Sequence, residues 1–117
     1  MSVNTGSYLP LTEPAFYILL SLIPEKKHGY AILKEVENLS QGSVSLSTST
    51  LYGALSRLQE QGLIKRVSIE EKDIRRPGLP RKSYMLTETG RTILRLETAR
   101  LKVIVSAASR LIEQEGV

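Results

Sequence analysis

Apolar residues recur along this chain with two different periods, and the places where the period changes divide it into elements. Residues 1–10 are polar, carry Asn4, Gly6 and Pro10, and read as a flexible arm. From Leu11 the pattern turns helical. Thr12 can cap free backbone N–H groups, Glu13 and Pro14 suit a first turn, and Ala15, Phe16, Ile18, Leu19, Leu20, Leu22 and Ile23 follow before Pro24. This helix is apolar around nearly its whole circumference, more than one small core covers, so contact with a second subunit is expected.

After a turn at Pro24 to Lys27, Ile32, Leu33, Val36 and Leu39 predict a second helix over Gly29 to Ser40, stopped by Gly42. The alternation Val44-Ser45-Leu46 predicts a minimal strand. Ser47 then caps a third helix, whose Leu51, Leu55 and Leu58 face inward and which Gly62 ends; its outward face is Ser49, Thr50, Tyr52, Gly53, Ser56 and Arg57.

Beyond Gly62 the period shortens. Leu63, Val67 and Ile69 alternate with Lys65 and Ser68, and Lys82 to Thr87 sets Tyr84 and Leu86 on one face, which predicts two strands. Pro77-Gly78 between them suits the centre of a type II turn. From Thr87 to about Glu115 runs one long helix, interrupted early only by Gly90. Its stripe of Leu94, Leu101, Val105, Ala108 and Ile112 is broadened by Ile93, Ile104 and Leu111. At 1.5 Å per residue it extends about 42 Å, longer than so small a domain is wide. Another chain is expected to bury much of that stripe.

Charge adds a location to this outline. The 117 residues carry a net charge of +4, and the segment Lys72 to Lys82 accounts for all of it: Lys72, Arg75, Arg76, Arg81 and Lys82 stand against the single acid Asp73. The excess sits on the loop between the two strands, where it suggests a polyanion or an acidic surface as partner.

Three helices, a ribbon with a basic tip and a long final helix describe a mainly α fold with a small β-hairpin: a winged helix-turn-helix with a long C-terminal dimerisation helix. Residues 11–87 would form the DNA-binding part and residues 88–117 the dimerisation helix. The third helix and the ribbon are the parts that can reach double-stranded DNA. Candidate DNA contacts are Ser49, Thr50, Tyr52 and Arg57 on the helix, Tyr30 near the start of the second helix, and Lys72, Arg75, Arg76, Arg81 and Lys82 on the wing; Lys26 and Lys27 are available for backbone phosphates. Candidate dimer contacts are Phe16, Leu19, Leu94, Leu101, Val105, Ala108 and Ile112.

The residues also resemble a known family. Leu11-Thr12-Glu13-Pro14-Ala15-Phe16-Tyr17-Ile18-Leu19, His28-Gly29-Tyr30-Ala31-Ile32, Leu46-Ser47 with Thr50-Leu51-Tyr52-Gly53-Ala54-Leu55, Gly62-Leu63-Ile64, and Pro80-Arg81-Lys82-Ser83-Tyr84-Met85-Leu86-Thr87 with Gly90 are similar, in order and spacing, to the PadR family of transcriptional regulators. The resemblance spans roughly Leu9 to Arg95. It implies a homodimeric winged-helix regulator, usually a repressor, on a pseudo-palindromic operator, and it places the chain with the compact branch whose single C-terminal helix crosses to the other subunit. In some relatives a small aromatic or drug-like effector releases the DNA; a cavity for one at the dimer interface would be lined by Phe16, Tyr17, Leu101, Val105 and Ala108. Two departures stand out. Thr48-Ser49 occupies a turn where many relatives have Pro or Gly, and the absence of Trp, with Phe16 the only Phe, removes the aromatic pair that would sandwich a flat ligand.

Other classes are constrained by what the residues lack. Without Cys there is no disulfide framework, thiol nucleophile or thiolate metal site. The sole His, His28, has no acidic cluster around it in sequence, so no metal or cofactor is expected, and His28-Gly29-Tyr30 reads as architectural. No glycine-rich phosphate loop and no isolated acid pair suggests an enzyme. Met1 to Pro10 has no secretory pattern, and the longest apolar stretch, Ala15 to Ile23, is about half the ~20 residues of a membrane span, so a cytoplasmic protein with no membrane partner is expected. Two alternatives to a sequence-specific regulator remain. One is a winged-helix module binding an acidic protein, which would show no preference among DNA sequences; the other is a non-specific nucleic-acid binder, which would hold random duplex as well as any operator.

Overall fold

The structure, a computed structural model, describes residues 8–72 and 80–116, with side chains outside 68–72 and 80–81. Helix α1 spans Glu13–Ser21, with the Thr12 hydroxyl accepting from the Ala15 amide at 3.2 Å. It ends two residues before the expected Ile23, and the Lys27 ammonium donates to the Ser21 carbonyl at 2.7 Å. Strand β1 (Lys27–His28), helix α2 (Gly29–Leu39) and helix α3 (Thr48–Glu60) follow. Strands β2 (Ile64–Lys72) and β3 (Pro80–Leu86) then lead into helix α4 (Glu88–Gln114).

Every long helix starts on a side-chain cap that offsets otherwise unpaired amides. The His28 imidazole Nδ1 accepts from Ala31, Ser47 from Thr50, and Thr87 from Gly90. Glycines with positive φ follow three of the helices: Gly42 (81°), Gly62 (76°) and Gly116 (73°). At Gly42 the amide turns back to the Glu37 carbonyl at 2.9 Å, closing the end of α2.

The sheet has three antiparallel strands in the order β1-β3-β2. Lys27 pairs with Tyr84 and His28 with Ser83, so the two residues before α2 fasten it to the wing. The minimal strand expected at Val44–Leu46 does not form, and the third strand is β1, next to a segment read as a turn. At Val44 the backbone is satisfied locally instead: Ser40 Oγ accepts from the Val44 amide at 3.0 Å and donates to its carbonyl at 3.2 Å. Between β2 and β3 the register runs from Ile64 opposite Leu86 to Ser68 opposite Lys82, then shifts before Lys72 meets Pro80.

One core joins all the elements: Ile18, Leu19 and Leu22 of α1 and its end, Ile32 and Val36 of α2, Leu51, Leu55 and Leu58 of α3, Leu63, Ile64, Tyr84 and Leu86 of the ribbon, and Ile93 and Leu94 of α4. Tyr8 and Leu9, expected in a free arm, pack partly buried against it. Of the candidate dimer contacts, Leu19 (0% exposed) and Leu94 (4%) belong to this core, while Ile23 just beyond α1 stays 44% exposed.

Helix α4 changes character along its length. Its first turns are seated by Gly90, where a Cβ would collide with the Leu63 carbonyl, and by Thr87, whose hydroxyl donates to the Gly62 carbonyl at 2.6 Å. The last core-facing side chain is Glu97, a carboxylate 1% exposed. It accepts from the Leu11 amide at 2.8 Å and pairs with the Arg100 guanidinium, which satisfies a charge that burial would otherwise penalise heavily. Beyond it Leu101, Ile104, Val105, Leu111 and Ile112 are exposed.

The Arg100 hydrogen bond is the main cause that holds the Glu97 carboxyl below its ordinary pKa, against the opposing pull of burial; the Leu11 amide adds to the lowering. The charged form therefore favours the folded chain. That stability is fully present above the ordinary Glu value of about 4.3 and is lost as pH falls through the lower folded value. We predict that urea unfolding finds Glu97→Gln less stable than wild type by a constant margin above about pH 5, and that the margin narrows below about pH 4. A margin independent of pH would show that the charge contributes nothing.

Candidate nucleic-acid interface

The exposed side of α3 begins at its capped N-terminus. Ser47 Oγ donates to Thr50 Oγ1 at 2.8 Å, accepts from the Thr50 amide at 3.1 Å and lies 3.4 Å from Ser49 Oγ. All three hydroxyls are exposed at the end of the helix where the aligned peptide dipoles favour an anion. Such an end can hold a phosphate or reach a base edge. About two turns beyond Thr50, Arg57 is exposed, its Nη1 3.7 Å from where a Cβ of Gly53 would stand.

Tyr52 is both surface and packing. The residue is 43% exposed, yet its hydroxyl lies against Gly29 at the start of α2, where a Cβ would come within 2.5 Å of the hydroxyl oxygen and 3.0 Å of the ring carbon bearing it. Gly29 thus lets α2 and α3 approach, and the contact sets the aim of the Tyr52 ring. Behind it, burial pushes the Tyr84 phenol up from its ordinary pKa, with Tyr52 adding to the rise and Arg66 opposing it. Tyr30, next to Gly29, is 60% exposed and has the Lys34 ammonium 5.6 Å from its ring centroid, within the range of a cation–π contact.

The candidate contacts therefore fall into three groups. Ser49, Thr50, Tyr52 and Arg57 share the outer side of α3, with Tyr30 brought alongside by the Gly29–Tyr52 contact. On β3, Lys82 is exposed. Arg75 and Arg76 lie outside the described residues, as do the side chains of Lys72 and Arg81. Lys27 is corrected: its ammonium is engaged by the α1 carboxyl end, which leaves Lys26 as the exposed lysine of that turn. His28 serves as a helix cap, and among the described residues no group of three His, Cys, Asp or Glu could hold a metal ion.

Reading the residues alone missed Lys34, Lys65 and Arg66, which are exposed cations beside these groups. The i, i+4 spacing of Tyr30 and Lys34 on a helix was the available signal. For Lys65 and Arg66 the net charge hid them, because acids elsewhere balance them.

Of the candidate dimer contacts, Leu101, Val105, Ala108 and Ile112 are exposed and Phe16 is half buried. A groove of about 420 Å³ between α1 and α4 is lined by Leu20, Ile23, Leu94, Arg95 and their neighbours, and by none of Phe16, Tyr17, Leu101, Val105 or Ala108. No helix among the described residues is long and apolar enough to cross a membrane.

Residues 18–96, from the core of α1 to the seated part of α4, match the transcriptional regulator PadR-like family. The chain belongs to that family. Over 78 residues it is 37% identical to the transcriptional regulator YqjI of Escherichia coli, a match covering 67% of this chain and 34% of that protein, so the chain spans about a third of this curated relative's length. Among solved structures, a PadR-like transcription factor from Bacteroides fragilis is 25% identical with a TM-score of 0.70, covering 93% of this chain and 99% of the other. Bacillus subtilis PadR in complex with operator DNA is 25% identical with a TM-score of 0.59, over 69% of this chain and 44% of that one. This member of the PadR-like transcriptional regulator family thus has a winged-helix fold with a long C-terminal helix.

Because Gly29 and Tyr52 meet so closely, Gly29→Ala should displace the ring and cost about 1–3 kcal/mol in chemical denaturation, with weaker binding to duplex DNA. Adding Tyr52→Phe removes the nearest atom and should recover part of the lost stability. If Gly29→Ala leaves both stability and DNA affinity unchanged, the contact does not aim the helix.

Proposed function

We propose that this PadR-like regulator acts as a homodimeric repressor on a pseudo-palindromic operator, with residues 11–87 reading DNA and residues 88–117 joining the subunits. The observation that carries this reading is the exposed outer side of α3, where Ser49, Thr50, Tyr52 and Arg57 stand beside Tyr30 and follow a capped helix N-terminus. Its hydroxyls, phenol and guanidinium supply donors and acceptors for base edges in the major groove. Lys82, with Lys72, Arg75, Arg76 and Arg81 of the basic wing, supplies phosphate contacts that position the helix without reading sequence. The operator complex of Bacillus subtilis PadR supports this use of the fold.

Homodimerisation is supported by the apolar stripe of α4, left uncovered by its own subunit from Leu101 to Ile112. Two reading helices held on a common two-fold axis favour half-sites of matching symmetry. Repression follows if the operator overlaps a promoter, through exclusion of polymerase. A small-molecule effector that releases the DNA would fit the same scheme by acting on the subunit interface.

The deciding experiment is selection of bound duplexes from a random pool by the purified protein at two salt concentrations. We expect a two-fold symmetric motif with half-sites about one helical turn apart. Salt-sensitive binding without a motif would instead indicate a non-specific binder, and no recovered duplex would favour a protein partner. On the selected operator, Arg57→Ala should weaken binding by about 1–3 kcal/mol in a fluorescence titration, and unchanged affinity would remove Arg57 from the interface.

A further inference from the structure

We propose that Gly90 and Thr87 set the distance between the two operator half-sites that the protein accepts, by fixing the angle at which α4 leaves the corner where α3 ends. This rests on the homodimer reading and names the residues that would give such an operator its length. The corner is the pair Gly62 and Leu63, and it is bonded on two sides. Its amides close α3: Gly62 donates to the Gln59 carbonyl and Leu63 to the Leu58 carbonyl, both at 3.0 Å. Its carbonyls seat α4: that of Gly62 accepts from the Thr87 hydroxyl at 2.6 Å, and that of Leu63 from the Thr87 amide at 3.1 Å. The proposed reading helix and the proposed dimerisation helix are thus hydrogen-bonded to the same two residues of backbone, with no long loop between them to absorb a change in angle.

The seat is tight because Gly90 has no Cβ. One built there would collide with the Leu63 carbonyl and stand 3.1 Å from Leu86 Cδ2. A carbon ordinarily keeps about 3.3 Å or more from a carbonyl oxygen, so a methyl at position 90 has to lift this end of α4 by roughly 1 Å. The next point at which α4 is tied down is Glu97, which accepts from the Leu11 amide at 2.8 Å. That point lies about 10 Å further along the axis, so the lift tilts the helix by about 6°. The end of α4 at Gln114, about 25 Å beyond Glu97, then swings by roughly 2–3 Å relative to the rest of its subunit. Two symmetry-related subunits make the same change, which doubles it to about 5 Å, more than the ~3.4 Å rise of one base pair. The outer face of α3 is aimed by a different contact, that of Tyr52 with Gly29, so what each half-site meets stays the same.

Selection of bound duplexes from a random pool, run in parallel on wild type and variants of the full chain, separates half-site sequence from half-site distance. Gly90→Ala should keep the sequence and change the favoured distance by about one base pair. Thr87→Asp tests the same seat without pressing on the core, and it decides the matter if Gly90→Ala does not fold. A carboxylate still caps the Gly90 amide, which Thr87 Oγ1 accepts from at 3.0 Å, but it cannot donate to the Gly62 carbonyl. Thr87→Asp should therefore accept a wider range of distances than wild type, and Thr87→Ser, which keeps both bonds, should select the wild-type distance. Lower affinity at an unchanged distance in Thr87→Asp, or in a folded Gly90→Ala, marks simple destabilisation and overturns the inference while leaving the homodimer reading intact. A wild type that selects only single half-sites overturns both.

Discussion

The constraint on which the molecule turns is that its last helix is longer than the domain it packs on. Four positions near its start, Gly90, Ile93, Leu94 and Glu97, face the core, and after Glu97 the subunit has nothing left to cover an apolar stripe that continues for four more turns. Burying a large aliphatic side chain is worth about 1.5–3 kcal/mol, so five such residues left half in water represent a substantial unused driving force. What does not vary is the direction in which that stripe is presented. The missing Cβ at Gly90 lets the helix settle on the Leu63 carbonyl, and the buried Glu97 carboxylate ties it to Leu11 where it leaves the core. In the proposed dimer, geometry imposed by a second subunit would reach the proposed DNA-reading elements through this seated helix base.

The same economy of contacts orients α3. Leu51, Leu55 and Leu58 hold its inner side in the core, but apolar packing alone permits a helix to roll. The close approach of Tyr52 to Gly29 resists that roll from the outside, and Gly29 is itself placed by the pairing of Lys27 and His28 with β3. One short strand thus links the wing, the start of α2 and the aim of α3. Its two residues carry less sequence signal than any other element, yet they fix the relation between the two parts proposed to meet DNA.

Much of this was legible in the residues because local rules and packing agree. Caps at Thr12 and Ser47, stops at Gly42 and Gly62, and the leucine spacing of α3 gave the helices nearly to the residue. Where reading failed, long-range pairing decided. Val44-Ser45-Leu46 has the alternation of a strand but spends its hydrogen bonds on Ser40, while Lys27-His28 has no alternation and finds a place beside β3. The all-round apolar α1 suggested an interface, and the subunit's own core takes up Ile18, Leu19 and Leu22 of that helix and its end, while Ile23 stays exposed. Periodicity says that a face is buried; it does not say by which chain.

Charge and shape divide the work of the proposed DNA complex. Outside the segment Lys72 to Lys82 the chain is electrically neutral, so long-range attraction to the duplex must come chiefly from the wing. Attraction to phosphate is indifferent to sequence, and discrimination has to arise from a surface that offers few charges and several directional groups. The outer side of α3 has that composition, with hydroxyls, one phenol and one guanidinium. A helix richer in lysine would bind every duplex more tightly and distinguish them less, because the added affinity would be common to all sequences. Keeping the excess charge on a segment apart from α3 lets affinity and selectivity be set by different residues.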